Sequence, residues 1–383
     1  MPRMIRTEHA LLSPSLGHQK HLVSFTYGDP KARPKVYIQG SLHAEELPGM
    51  LVSHHLRSAL DAAEREGRLS GCVVLVPAAN PIGLAQRLDH KPMGRFELDT
   101  GENFNRHYPD LAQAVFEQAR TGLGQDGEAN VSLVRQWVGQ WLSQWTPLTE
   151  LESQRRCLLQ LSHDADVVID LHCDWEAVLH LYSEEACWPT IAPLAATLGC
   201  RAVLLAKNSG GGPFDERLSG LWWQLRERLL AAGVDRPLPQ GCASTTVELR
   251  GEADVDHAHA QTDAQAVLLY LHHLGALQTQ GAVPPLPPIA CEPTPLAGSQ
   301  TLQTPVPGVL VYLVPTGATL NVGDAVAHVI DPTAPDASRV HVVRADVAGV
   351  LYARVGHRYL VAGAEVGKIA GAHAFRTGDL LGA

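Results

Sequence analysis

The sequence predicts an α/β sheet covered by helices, followed by a small all-β domain. From about residue 22 to residue 275, short β-branched runs alternate with helical stretches. A proline-rich stretch at 281–298 ends this alternation, and the residues after it form valine-rich runs punctuated by glycine. We therefore expect an α/β domain over 1–280, a semi-rigid linker over 281–298 and a β domain over 299–383.

The composition is that of an ordinary globular protein. Hydrophobic residues make up 45% and charged residues 18% of the 383 residues, which excludes collagen-like, coiled-coil and disordered chains. The formal net charge is −10 and the basic residues are scattered, so nucleic acid and anionic membranes are poor partners. The sequence has no signal-peptide pattern, no apolar run of 18 residues and no C-x-x-C pair among its seven cysteines, so we expect a cytoplasmic protein.

The α/β domain is predicted from short apolar runs that a sheet interior accepts. The predicted strands are Lys35–Gly40, Cys72–Ala78, Val167–Leu171, Val178–Tyr182, Ala202–Ala206 and Thr245–Leu249. The predicted helices are Pro48–Glu66, Val131–Trp145 and Ala264–Leu274. Pro48 suits the first turn of a helix, where a missing N–H costs nothing.

The residues after the linker contain an internal repeat. PGVLVYL at 307–313 matches AGVLYAR at 348–354, and VGDAVAHVI at 322–330 matches AGAEVGKIA at 362–370. Neither half could bury an apolar face alone. The repeat therefore predicts two similar halves packed into one small sandwich or barrel.

The segment GSLHAEELPG at 40–49 lies between a predicted strand and a predicted helix, at the edge where open α/β sheets bind ligands. His43 and Glu46 form an H-x-x-E pair, whose spacing lets an imidazole and a carboxylate converge on one ion. Such a pair is common by chance in a chain with 19 histidines, and two solvated turn residues are the alternative.

A third ligand candidate ends another strand, in Asp170-Leu171-His172. Two histidines and one carboxylate with an open position form a hydrolytic zinc site, and a nearby carboxylate such as Asp170 commonly orients a ligand histidine. We therefore predict one Zn²⁺ held by His43, Glu46 and His172. A hydrogen-bonded histidine at a strand end is the alternative for His172 alone.

A zinc hydrolase also needs a group that takes a proton and returns it to the leaving nitrogen. Glu248 is our candidate, because an ionisable residue between Val247 and Leu249 in a buried-looking run needs a reason to be there. An ion pair with Arg250 or with another basic residue is the alternative.

The loop at 101–109 supplies the substrate-binding candidates. Asn105 and Arg106 are adjacent there, and the planar fork of arginine grips a carboxylate through two hydrogen bonds. Arg95 could supply a second positive contact, with a surface arginine as the alternative reading.

Together these motifs resemble the succinylglutamate desuccinylase/aspartoacylase family, within the zinc-carboxypeptidase-like superfamily. The resemblance rests on H-x-x-E, N-R, D-L-H and T-V-E-L in this order, on VPAANPIG at 76–83, and on the β tail. It implies a mixed, mostly parallel sheet and hydrolysis of N-acylated amino acids. Zinc would be held by His43, Glu46 and His172, Glu248 would be the general acid/base, and Asn105 with Arg106 would grip the substrate carboxylate.

Two departures bear on the substrate. Position 44 is Ala where the family usually has Gly, a tolerable change. After His172 the chain carries Cys173-Asp174-Trp175-Glu176, where the named enzymes have small or hydroxylated residues. Either these acidic side chains face the pocket and favour a cationic or polar substrate over an acidic acyl group, or they are solvated. The roles of His180 and Tyr182 are also left open by the sequence. These residues could be oxyanion donors or structural hydrogen bonders.

The C-terminal repeat resembles the lipoyl/biotinyl type of β-barrel sandwich. Carrier domains of that type present a lysine between their halves, and the connecting stretch Asp331–Arg344 has none. We therefore expect this domain to cover the active site or to mediate assembly, and the sequence leaves a homo-oligomer open.

The predicted function is a zinc-dependent amidohydrolase acting on a small N-acyl amino acid. A metallocarboxypeptidase acting on peptides would use the same residues. A non-catalytic binding protein could keep the fold without the reaction.

Overall fold

The computed structural model describes residues 4–279, 281–336 and 338–381. Up to residue 298, the described residues form twelve strands. They are β1 (Ile5–Ala10), β2 (His21–Tyr27), β3 (Lys35–Gly40), β4 (Cys72–Val76), β5 (Arg87–Leu88), β6 (Lys91–Pro92), β7 (Val167–Asp174), β8 (Glu176–Ala177), β9 (His180–Glu184), β10 (Ala202–Ala206), β11 (Ala243–Gly251) and β12 (Thr294–Pro295).

Nine helices accompany these strands in the described chain. They are α1 (Pro48–Arg65), α2 (Pro81–Leu84), α3 (Leu111–Ala114), α4 (Phe116–Gly122), α5 (Gly127–Gln144), α6 (Glu150–Ser162), α7 (Trp188–Leu198), α8 (Phe214–Ala231) and α9 (His257–His273). Short 3₁₀ turns span Glu185–Cys187 and Leu296–Gly298.

Nine of the strands form one mixed sheet in the order β1-β2-β4-β3-β7-β11-β9-β10-β12. Within the described residues five of its eight neighbouring pairs are parallel, which fits the expected mostly parallel sheet. Apolar residues of α1, α7 and α9 pack on one face and those of α3 to α6 and α8 on the other. The α/β architecture is therefore confirmed, with two cores separated by the sheet.

The structure also shows where the predicted bounds were wrong. Helix α5 begins four residues before the predicted start, because the Asp126 side chain accepts hydrogen bonds from the first backbone N–H groups. Asp256 does the same for α9, which begins at His257 instead of Ala264. Apolar periodicity alone places a helix start too late, because the first turn need not be apolar.

The proposed division of the chain at 281–298 stays a prediction. Within that stretch the structure places β12 beside β10, as the edge strand of the large sheet. An edge position tolerates proline, since one side of the strand has no partner to bond.

The C-terminal part consists of short strands in two open sheets. They are β13 (Ser299–Gln303), β14 (Gly308–Tyr312), β15 (Thr319–Leu320), β16 (Ala325–Ile330), β17 (Val340–Arg344), β18 (Gly349–Arg354), β19 (Tyr359–Leu360) and β20 (Glu365–Gly371). One sheet has the order β13-β20-β18-β15 with β8 paired to β18, and the other has the order β17-β16-β14-β19. Both contribute to a single apolar cluster. The sandwich is therefore present, but the predicted closure into a barrel is not confirmed, since neither sheet closes on itself.

The seven cysteines are all unpaired. A bilayer-spanning helix, long and apolar throughout, does not occur among the described residues.

Two glycines set the path of the chain from β3 into α1. A Cβ on Gly49 would lie 2.9 Å from the carbonyl oxygen of Leu171, and a Cβ on Gly40 would lie 2.9 Å from the carbonyl carbon of Gly49. Real Cβ atoms do not approach a backbone so closely, so the first turn of α1 can rest on β3 and β7 only because both positions are glycine. The loop 41–47 is thereby folded back over the ends of these strands.

We expect Gly49→Ala to lower the free energy of unfolding by about 1–3 kcal/mol, because the new methyl group meets backbone that cannot move aside. An alanine in an unhindered helix would instead raise it by up to ~1 kcal/mol. Denaturant unfolding measures the difference. Gly281→Ala is the control, since nothing lies within 4 Å of its Cβ. A Gly49→Ala protein as stable as the wild type would contradict the close packing.

Candidate metal centre

The H-x-x-E loop is held in place by hydrogen bonds to its own backbone. Ser41 adopts a positive φ of 57°, and its hydroxyl donates to the carbonyl oxygen of Glu46 at 2.8 Å. The Asn80 side chain donates to the carbonyl oxygen of Leu42 at 2.8 Å. These contacts fix both predicted ligands, His43 and Glu46, in buried positions.

The neighbouring strand brings the third predicted ligand to the same place. Strand β7 pairs in parallel with β3, in a register that sets Gly40 opposite Leu171. His172 follows immediately and is 2% exposed. One ligand atom from each of His43, Glu46 and His172 lies within 4.8 Å of the other two, so the structure brings the three together in a group that could hold a metal ion.

The Glu46 carboxylate lies between the two imidazoles. Its Oε1 is 2.9 Å from Nδ1 of His43 and its Oε2 is 2.7 Å from Nδ1 of His172. The backbone N–H of Cys173 also donates to Oε2, at 3.2 Å. Both histidines therefore turn the same ring nitrogen, Nδ1, toward the carboxylate.

The opposite nitrogen of each ring faces an oxygen acceptor. Nε2 of His43 is 2.9 Å from Oδ1 of Asn103, and that oxygen also accepts the backbone N–H of Asn105 at 2.8 Å. Nε2 of His172 lies 3.1 Å from Oδ2 of the buried Asp170. Asn103 thus offers an acceptor to Nε2 of His43, and both rings present Nδ1 on the side of the carboxylate, where a metal ion could be held.

Asn103 was missed by the sequence analysis, whereas Asp170 lies where it was expected. Asn103 stands two residues before Asn105 in a loop already singled out, but an asparagine there carries no signal of contact with a histidine 60 residues away. Its position depends on a loop that folds back on itself, where Phe96 pairs with Asn103.

Burial and charged neighbours set the protonation of the three clustered side chains. Burial, together with the nearby Arg95 guanidinium, lowers the pKa of His43 to about 4, so this imidazole is neutral at pH 7. Burial would also lower the pKa of His172, but the Asp170 and Glu46 carboxylates on its two sides raise it well above its usual value. Burial opposes ionisation of Glu46, and the two imidazoles nevertheless hold the pKa of its carboxyl well below its usual range.

The Nδ1 atom of His43 lies 2.9 Å from Oε1 of the Glu46 carboxylate. Arg95, predicted as a substrate contact, lies at this pair: its Nη1 is 3.1 Å from Oε1 of Glu46 and 3.2 Å from Nδ1 of His43. The Arg95 guanidinium therefore supplies positive charge beside the Glu46 carboxylate. Two imidazole nitrogens and one carboxylate oxygen are the donor set that Zn²⁺ prefers, so the residues fit such an ion.

Glu248 lies beside the cluster on the next strand. Strand β11 pairs in parallel with β7, and the register sets Glu248 opposite His172. Its Oε2 is buried without a hydrogen-bond partner in the described structure. Burial and the nearby Glu46 carboxylate raise the pKa of Glu248 to about 8, against the opposing effect of His172. The alternative of an ion pair with Arg250 is not what the structure shows, since Arg250 pairs with Asp263.

The Asn105–Arg106 loop packs against the glycine-rich loop before α8. Asn105 accepts the backbone N–H of Phe214 at 2.8 Å, and the Arg106 guanidinium donates to the carbonyl oxygen of Asn105 at 2.8 Å. Gly211 has a φ of +68°, and a Cβ there would come within 2.7 Å of the Arg106 side chain. The glycine lets one loop rest on the other, and both Asn105 and Arg106 line the central cavity.

This cavity has a volume of about 690 Å³ and contains all seven predicted site residues in its walls. The C-terminal sheets supply one wall, from which Tyr352 and Lys368 reach the cavity. Lys368 donates to Oδ2 of Asp174 at 2.8 Å, so Asp174 lines the pocket as half of an ion pair. The expectation that this domain covers the site therefore agrees with the structure.

Glu176, Tyr182 and His180, whose roles the sequence leaves open, lie in different surroundings. Glu176 pairs with Arg354 and Arg358 of the C-terminal part and joins the two parts of the chain, away from the cavity wall. Tyr182 lines the cavity. His180 is fully buried, with Nδ1 donating to the carbonyl oxygen of Val178 at 2.8 Å, and burial lowers its pKa to about 4.

Comparisons with known proteins agree with this geometry. Residues 32–274 match the family model of the succinylglutamate desuccinylase/aspartoacylase catalytic domain. The chain is similar to the structure of a protein described as of this family from Shewanella amazonensis SB2B, with 26% identity, a TM-score of 0.82, and coverage of 96% of this chain and 98% of that one. A search of curated proteins found no match.

Two further solved structures share the fold. One is a protein described as of the same family from Shewanella frigidimarina NCIMB 400, at 23% identity and a TM-score of 0.81, covering 97% of this chain and 98% of that one. The other is the product-bound ectoine utilization protein EutE (DoeB) from Ruegeria pomeroyi, at 14% identity and a TM-score of 0.65, covering 96% of this chain and 95% of that one. Both likenesses include the C-terminal sheets, since they extend over nearly the whole chain.

We expect Asn103→Leu to weaken Zn²⁺ binding about 10- to 100-fold, because His43 loses the acceptor that fixes its tautomer and ring orientation. Competition with a chromophoric chelator measures the affinity. Asn130→Leu is the control, since Asn130 is equally buried and its side chain bonds to the backbone of Gly124, but it lies in α5 and has no contact with the three clustered residues. A similar loss of affinity in both variants would contradict a specific role for Asn103.

Proposed function

The chain belongs to the succinylglutamate desuccinylase/aspartoacylase family, and from this membership we propose that it is a zinc-dependent hydrolase. The bond it cleaves is the amide of an N-acylated amino acid or of a similar small molecule that carries a carboxylate. The observation that carries the proposal is the buried group of His43, Glu46 and His172, with both Nδ1 atoms directed at the carboxylate.

One zinc ion per chain would be held by His43, Glu46 and His172. A zinc ion with these ligands supplies Lewis-acid chemistry, because it lowers the pKa of a water molecule toward ~7 and polarises a carbonyl group. Asn103 bonds to Nε2 of His43, and the Asp170 carboxylate lies 3.1 Å from Nε2 of His172, so both imidazoles would present Nδ1 to the ion. Residues next to the ligands of a metal site typically keep those ligands in a fixed orientation in this way.

Glu248 is the proposed general acid/base. A carboxyl group whose pKa lies near neutrality can both accept a proton and return it, and burial raises the pKa of Glu248 to about 8. Its partnerless Oε2 lies next to the ligand His172 in the sheet register. Glu248 would take a proton from the attacking water and deliver it to the leaving nitrogen.

Asn105 and Arg106 are the proposed carboxylate-binding residues. Arg106 lines the cavity, and its guanidinium can offer two parallel N–H donors to a carboxylate. Asn105 keeps this loop in position through its bond to the N–H of Phe214. Arg95, 3.1 Å from Glu46, would contribute positive charge at the reacting end of the substrate.

The shape of the cavity favours a small substrate over a peptide. Residues of the C-terminal sheets form one wall of the 690 Å³ cavity, so this part of the chain limits how far a long substrate could extend. The unpaired cysteines support a reducing compartment such as the cytoplasm.

A screen of N-acetyl, N-formyl and N-succinyl amino acids against the zinc-loaded protein tests the proposal. We expect release of the free amino acid from at least one series, loss of this activity on chelation, and its return with Zn²⁺. Each substrate is also tested as its methyl ester at the carboxylate, and we expect the esters to be poor substrates because they offer Arg106 no charge. Cleavage of C-terminal residues from peptides alone would replace the proposal by a carboxypeptidase activity.

We expect Glu248→Gln to lower kcat about 10²- to 10⁴-fold while zinc content is unchanged, because the amide cannot accept the proton. Steady-state kinetics and metal analysis of the same samples measure the two quantities. Glu252→Gln is the control, because Glu252 lines the same cavity and loses the same charge. Unchanged turnover in Glu248→Gln with metal bound would refute the assignment of the acid/base.

A further inference from the structure

One branch of the central cavity is lined by apolar side chains that belong to a single cluster. Some of them lie on strands of the large sheet, and the others lie on the C-terminal part of the chain. We call these residues the apolar subsite: Tyr182, Leu204, Ala206, Leu296, Tyr352 and Leu380. All six are buried, so the packing of the protein fixes the walls of this branch before a substrate enters.

The sheet register places the apolar subsite beside the proposed acid/base. Thr246, two residues before Glu248 on β11, lies opposite Tyr182 on β9, and Tyr182 lies opposite Leu204 on β10. Residues opposite each other in neighbouring strands point to the same face of a sheet, and successive residues alternate between the faces. Because strands lie about 4.8 Å apart, the subsite extends from about 5 to about 10 Å from β11, on the face that carries Glu248.

The C-terminal segment places Leu380 next to the proposed carboxylate-binding loop. The backbone N–H of Leu380 donates to the carbonyl oxygen of Ser209 at 2.8 Å, and the carbonyl oxygen of Leu380 accepts Nη2 of Arg376 at 2.7 Å. Ser209 belongs to the same glycine-rich loop as Gly211, which rests against Arg106. In an α-amino acid the carboxylate and the side chain are attached to one carbon atom. A substrate whose carboxylate is held by Arg106 therefore has its side chain close to Leu380.

Two of the cations in the cavity wall are already engaged by the protein. Lys368 pairs with Asp174 at 2.8 Å, and the Arg376 guanidinium donates to the carbonyl oxygens of Ser299 and Leu380. A second carboxylate on the substrate would have to displace one of these contacts. An acidic side chain is therefore disfavoured in this branch of the cavity.

The carboxylates that contact the neighbours of the apolar subsite are engaged as well. Asp215 accepts the Thr246 hydroxyl at 3.0 Å, and Glu216 accepts the backbone N–H of Ser209 at 3.0 Å. A cationic side chain would compete with these donors. An apolar side chain would instead displace water from apolar walls, which is favourable.

We propose that the substrate is an N-acylated amino acid whose side chain is apolar and about the size of leucine or phenylalanine, and that the apolar subsite receives this side chain. The inference rests on the proposed function and names the class of amino acid that the reaction releases. Leu204 and Leu380 determine the specificity, since they approach the side chain from the sheet and from the C-terminal segment. Each methylene group buried there strengthens binding about 4-fold.

Steady-state kinetics of the zinc-loaded wild type with the N-acetyl derivatives of alanine, leucine, phenylalanine, aspartate and lysine test the proposal. We expect kcat/KM to be at least ~10-fold higher for the leucine and phenylalanine derivatives than for the alanine derivative. The aspartate and lysine derivatives should not exceed the alanine derivative. Equal kcat/KM for the alanine and leucine derivatives, or the highest value for a charged derivative, would overturn the proposal.

Leu204→Ala and Leu380→Ala should each lower the ratio of kcat/KM for the leucine derivative to that for the alanine derivative at least ~5-fold, because apolar surface is lost from the subsite. This ratio does not depend on how much of a variant is folded. Leu205→Ala is the matched control and should keep the wild-type ratio, since Leu205 follows Leu204 on β10 but packs in the core on the other face of the sheet. The wild-type ratio in both subsite variants would contradict their assignment.

A binding measurement distinguishes failure of this inference from failure of the proposed function. Calorimetric titration of the metal-free wild type with N-acetylleucine and N-acetylalanine requires no turnover, and we expect the leucine derivative to bind at least ~10-fold more tightly. If no derivative is hydrolysed, tighter binding of the leucine derivative would overturn the proposed function and support the subsite. Equal binding in that case would overturn both.

Discussion

A buried carboxylate between two imidazoles is the interaction on which the site depends. Glu46 is ionised although it is 3% exposed, and a charge so far from water is stable only beside positive charge or strong donors. The ring nitrogens nearest to it are both Nδ1, because Asn103 and Asp170 occupy the Nε2 sides. The three side chains form a buried group in the cavity wall that could hold a metal ion.

The fold provides this arrangement by bringing three parallel strands into register. Strands β3, β7 and β11 are adjacent, so the loop after β3, His172 near the end of β7 and Glu248 near the end of β11 meet at one edge of the sheet. The close contact of Gly40 with Gly49 turns the loop inward over this edge. The C-terminal sheets then close one side of the cavity, and the ion pair between Lys368 and Asp174 joins them to it.

The sequence was sufficient to predict that certain side chains at strand ends lie together. His43, Glu46, His172 and Glu248 do meet at one edge of the sheet, because they follow or end neighbouring parallel strands, and their roles stay predictions. Asn103 and Lys368 could not be identified, since their contacts arise from a loop that folds back and from the packing of one part of the chain on another. The late helix starts at α5 and α9 could have been corrected by giving more weight to the capping residues Asp126 and Asp256. The barrel was expected from a repeat, but a repeat fixes the similarity of two halves and not whether their sheets close.

The most direct test of the central claim is anomalous diffraction at the zinc edge from crystals of the protein grown with Zn²⁺. We expect one strong anomalous peak within bonding distance of Nδ1 of His43, Nδ1 of His172 and a carboxylate oxygen of Glu46. A crystal that shows no peak there, or a zinc ion bound through Nε2 of either histidine, would contradict the claim that these three side chains are preorganised to hold the metal.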